Sequence, residues 1–172
     1  MNADLSRHLI AGFLLPAGEE ILDVRDGTAA SIVETSRTAW RVEPLPSDEG
    51  YRLFTAGKAT MDNGEPVEAF AVLPDGQAFR LGDEEQLRTF HRQASPSPLE
   101  IANLVAQYAE PQPVARFLDP ATAPMVSGKQ ATVHTYSWLY PDDETEILLR
   151  ERWDVDTADP LTWRRTELGP SA

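Results

Sequence analysis

Cysteine is absent from the 172-residue chain, which removes disulfides, thiolate nucleophiles and thiolate metal sites in one step. Histidine is nearly as scarce: His8, His91 and His134 stand alone, none with another His two, three or four positions away, so no local metal pair exists. Long apolar runs are missing too, and no segment approaches the roughly 20 apolar residues that cross a bilayer. Positive charge is in short supply. Lys and Arg number 15 against 28 Asp and Glu, for a net charge of −13, a field that repels phosphate backbones and anionic lipid. Nucleic acid and membrane are therefore not expected as partners. Such a surface serves solubility by itself, and it also suits a protein partner with a basic surface.

The motifs that would announce an enzyme are lacking as well. No G-x-S-x-G elbow presents a serine; Ser127, beside Gly128 and Lys129, is the nearest loop serine. Gly57-Lys58-Ala59-Thr60 and Gly128-Lys129 match only fragments of a phosphate-binding loop, and the upstream glycine at the required spacing is missing. Asp154, Asp156 and Asp159 resemble the opening of a calcium loop, but Arg165 stands where the bidentate Glu belongs. Neither a cofactor nor a metal is expected.

What is present is a chain long enough to bury a core, with 41% hydrophobic residues. Leu5, Leu9 and Phe13 fall on one stripe of an amphipathic first helix. The apolar patch 9–15 follows Arg7 and His8 in the manner of a secretory signal, but Asp4 and its short length favour the helix, and a cytoplasmic protein is expected. Asp26-Gly27 suggests a tight hairpin between runs 20–26 and 29–35, through the positive φ angles this dipeptide adopts readily. Residues 38–42 read as a further strand carrying Trp40, after which Pro44 and Pro46 predict an irregular connection held in water by Asp48 and Glu49. Residues 51–61, 66–73 and 77–81 form a meander, cut by Asp62-Asn63-Gly64 and Pro74-Asp75-Gly76.

Two helix starts follow. Asp83 with Gln86, and Ser97 with Pro98 and Glu100, have the spacing of capping residues. Pro111 and Pro113 end the second helix, and residues 115–130 read as a loop-rich segment and a candidate mobile loop. Residues 131–140 and 146–155 then make a long hairpin around Pro141-Asp142-Asp143-Glu144. The fold class expected is α+β, with a mostly antiparallel sheet and about three helices, in one domain over 1–172 that admits sub-layers at 1–94 and 95–172.

Period-two alternation puts His134, Tyr136, Trp138 and Tyr140 on one face of the late hairpin, next to its acidic turn. Such a ladder is either core packing or a binding face. The reading favours a binding module over an enzyme: Trp138, Tyr140, Asp142, Asp143 and Glu144 would contact a basic protein. A bacterial immunity-type inhibitor or a chaperone for a secreted partner would have this character. The alternative is a small hydrolase or ligand-binding protein whose pocket lies between the sheet and residues 115–130, with His134 as its base. The oligomeric state is left open.

Overall fold

A computed structural model describes residues 3–47, 50–59 and 65–170. Asp48, Glu49 and the expected turn Asp62-Asn63-Gly64 lie outside the described residues. The fold is α+β, built from two antiparallel sheets and a few short helices. The chain divides into two compact units, Met1–Asn63 with Val67–Arg80, and Gly64–Pro66 with Leu81–Ala172.

In the first unit, helix α1 (Ala3–Leu9) widens into a π-helical turn (Ile10–Leu14), closed by Leu15 N–H donating to the Ile10 carbonyl at 2.8 Å. Six strands follow: β1 (Ile21–Asp26), β2 (Ser31–Thr35), β3 (Ala39–Leu45), β4 (Arg52–Lys58), β5 (Glu68–Val72) and β6 (Ala78–Arg80). They pair in sequence order, as antiparallel neighbours with short connections do. The expected stripe of α1 seats the helix on one face of this sheet. Leu9 and Ile10 are fully buried with Val33, Val42, Phe54, Ala56, Phe70 and Val72, while Leu5 and Phe13 pack at the margin of that cluster.

Two connections differ from expectation in instructive ways. Gly27 is needed for close approach rather than for a positive φ: a Cβ there would meet the Ala30 carbonyl oxygen at 2.9 Å. The loop it opens spans four residues between the Asp26 and Ser31 pair, and Gly27 N–H donates to Ala30. Pro44 stays inside β3, opposite Phe54 of β4. Strand β2 ends its pairing at Val42, so the missing proline N–H costs β3 no ladder bond on that side.

The second unit holds α2 (Glu84–Ala94), α3 (Pro98–Tyr108), β7 (Phe117–Leu118), β8 (Met125–Ser127), β9 (Gln130–Asp142), β10 (Thr145–Asp156) and β11 (Thr162–Pro170). Both caps form: Asp83 accepts from Gln86 N–H at 3.0 Å, and Ser97 accepts from Glu100 N–H at 3.2 Å. The sheet order is β11-β10-β9-β7, with β8 also on β9. Helix α3 packs on β9, β10 and β7, burying Ile101, Leu104 and Val105 on its side and Val133, Trp153 and Val155 on the sheet. Segment 115–130 is anchored in part: Phe117 pairs with Tyr136, and Met125 with Thr132.

Candidate functional site

The long hairpin outreaches its neighbours. Strand β7 meets β9 only at Thr135 and Tyr136, and β11 meets β10 only from Leu149 onward. Residues 137–148 therefore continue as a two-stranded ribbon with no further strand beside them among the described residues. The ribbon carries all five residues singled out from the sequence. Trp138 is 39% exposed and Tyr140 61% exposed, on the face they share with Glu146. Asp142, Asp143 and Glu144 form the exposed tip.

Part of this acidity has a local role. Asp142 accepts from Glu144 N–H at 2.9 Å, and hydrogen bonds from Thr145 and Glu144 hold its carboxyl below the usual carboxylate range. Tyr140 donates to Glu146 at 3.0 Å, and that bond raises the phenol. Asp143 and Glu144 extend into solvent beyond the closed turn.

Behind the tip the same face changes sign. Arg150, Arg152 and Arg164 are exposed there, opposite Tyr136, His134 and Asp154 respectively. Asp154 binds Arg152 at 3.0 Å and Thr132 at 2.9 Å. Burial pushes its carboxyl up, but Thr132, Arg152 and Arg164 outweigh that and leave it lowered. His134 is half-buried on this face, its Nδ1 without a partner, and no hydrogen bond among the described residues joins its ring to a carboxylate, Ser or Thr.

The opposite face of the hairpin hides a charged network that the sequence reading passed over. Glu151 has no exposure, yet its carboxylate takes Arg116 at 2.8 Å and Arg165 at 2.8 Å. The Arg116 guanidinium also donates to the Glu110 carbonyl and lies 5.0 Å from the Trp153 ring, whose N–H donates to Thr135 at 2.9 Å. The Glu151 bond raises Arg165 further. Both Glu151 oxygens, two of the three Arg116 guanidinium nitrogens and the Trp153 N–H are engaged with one another or with neighbouring groups, as in a structural network.

A cleft of about 400 Å³ opens at the other end of the same sheet, lined by His91, Arg92, Ser95, Pro96, Pro98, Lys129, Thr157 and Asp159. Its walls come from the last turn of α2, the start of α3, the β8–β9 turn and the β10–β11 connection. Three separate stretches contribute, 91–98 with five residues, Lys129 alone, and Thr157 with Asp159, so no single spacing in the chain announces it. His91 is only 8% exposed, and its Nδ1 has no hydrogen-bond partner. Burial dominates its titration and lowers it, against the Thr157 backbone and Asp159, which raise it.

Among the described residues no group of three His, Asp or Glu is arranged to hold a metal ion, and no helix is long and apolar enough to cross a membrane. Comparison with protein-family models, with curated proteins and with solved structures returned no match for this chain.

Proposed function

We propose that the chain is a protein-binding module whose contact surface is the projecting end of the β9–β10 hairpin, and whose partner presents a basic surface. The observation that carries the reading is the conjunction of two exposed aromatics with the acidic tip on one unsupported ribbon. Aromatic side chains are the usual anchors of an interface because they bury large area with few rotatable bonds. Tyr140 presents most of that area to solvent, and Trp138 about two-fifths of it. The carboxylates around them steer a cationic surface and penalise an anionic one. An inhibitor or chaperone of a basic protein, the immunity-type role included, has this character.

The test compares capture from a native extract by the wild-type chain, by Asp142→Lys with Asp143→Lys and Glu144→Lys, by Trp138→Ala, and by a control that reverses the exposed Glu34 and Glu85. A specific partner is expected to be lost by both ribbon variants and kept by the control. Retention by the ribbon variants overturns the assignment, as does equal loss in the control, which would reduce the effect to net charge.

A further inference from the structure

We propose that the cleft between the end of α2 and the start of α3 binds a small oxyanion, a phosphoryl group or its equivalent, through Arg92 and Lys129, with His91 close enough to sense its charge. In a chain of net charge −13, two cations line one concavity, and neither makes an ion pair among the described residues. The Arg92 guanidinium has a single long hydrogen bond, to Thr89 at 3.3 Å. Lys129 is held in place through its backbone: its carbonyl accepts from both Thr157 N–H and the Thr157 hydroxyl, each at 2.8 Å. The backbone of the turn that carries the ammonium is thus fixed, while the exposed side chain reaches out from it.

His91 forms part of the wall: its ring is more than nine-tenths buried and its Nδ1 is sealed from solvent, so it acts on a ligand through charge rather than by direct contact. Asp159 is the one acid among the lining residues, and it leaves the cleft net positive against Arg92 and Lys129. The start of α3 adds its dipole but few donors, since Pro98 has no N–H and Glu100 N–H already binds Ser97. Ser95, exposed at φ 46° on the C-terminal cap of α2, adds a hydroxyl at the rim. The volume of about 400 Å³ admits an oxyanion together with a small organic body.

The charged groups facing His91 are Asp159, Arg92 and Lys129; burial, joined by Arg92 and Lys129, outweighs the Thr157 backbone and Asp159 and holds the imidazole below its ordinary range. A bound anion favours the protonated ring. Binding therefore takes up a proton, and affinity rises as pH falls through the His91 range. Sulfate is the decisive probe, because its own charge is constant across that range.

The experiment titrates the full chain with sodium sulfate by amide NMR between pH 5.5 and 7.5, with chloride holding ionic strength constant. Saturable shifts are expected in the last turn of α2 and in residues 128–130, stronger at the acid end. The double variant Arg92→Gln, Lys129→Gln changes exposed side chains only and is expected to weaken binding by about tenfold or more, as the loss of two charge-assisted contacts implies. His91→Gln should retain binding and lose its pH dependence. O-phosphoserine binding more tightly than inorganic phosphate assigns a phosphomonoester; equal binding assigns the bare ion. Absence of saturation with sulfate and phosphate, or equal binding by the double variant, overturns the proposal. The Asp142, Asp143 and Glu144 variants should bind sulfate normally, which keeps this result separate from the fate of the hairpin reading.

Discussion

A carboxylate with no exposure, opposite Thr135 on β9, is tolerable only because two guanidiniums reach it. Removing the charge of Glu151 leaves Arg116 buried beside Trp153 with its main partner gone. Glu151→Gln is expected to cost about 3 to 5 kcal/mol, the range for breaking one side of a buried pair. Arg165→Met should cost far less, because that side chain is about one-third exposed and solvent screens it. Urea unfolding followed by tryptophan fluorescence checks both, since Trp138, Trp153 and Trp163 all lie in the second unit. At this scale the sequence is half transparent. Alternation along β10 assigns Ile147, Leu149, Trp153 and Val155 to one face, and Glu151 follows from the same count. Its partners do not, because Arg116 is 35 residues away and Arg165 is 14 away, with no local pattern tying them together.

Elements were readable where their signals are local. Ser97 caps α3, and Ser97→Ala is expected to destabilise the chain by about 1 kcal/mol in the same unfolding measurement. Gly27→Ala forces a methyl to within 2.9 Å of a backbone oxygen that cannot swing aside. Its cost should appear as a lowered unfolding midpoint, whereas Gly76→Ala would be penalised through its φ of +89° instead. The turn 74–76 was legible for that reason: Gly76 N–H donates to Leu73, Leu73 N–H to Gln77, and Gln77 N–H to Asp75. Pro44 misled because a proline ends a strand only where its N–H has a partner to lose, and that depends on how far β2 runs. The division of the strands between two sheets was equally hidden. No residue near Arg80 or Leu81 states that the meander closes there and that later strands pair among themselves.

At the scale of the molecule, charge is uneven in a way that a net value of −13 conceals. The hairpin ends in carboxylates, turns to arginines midway, and meets a cation-lined cleft beyond its far end. Association of the tip with a basic partner should slow as salt rises, by about tenfold or more between low salt and ~0.5 M, with a smaller effect on dissociation. Stopped-flow mixing at several salt concentrations measures this, and a salt-independent association rate would argue against electrostatic steering. The aromatic and acidic residues of the tip were visible in sequence because they are contiguous. The cleft was not, because it is assembled from three connections, α2–α3, β8–β9 and β10–β11, that only the folded sheet brings together.

The ribbon at 137–148 has a further consequence. A strand edge with no neighbour is a template on which another chain can polymerise, and among the described residues no strand covers the edge of β9 from Trp138 to its end. Pro141 removes one of its donors, and the tip charges repel a second acidic copy approaching in register. Neutralising the tip would therefore do more than weaken a contact: it would remove the guard that keeps an open edge from recruiting its own kind.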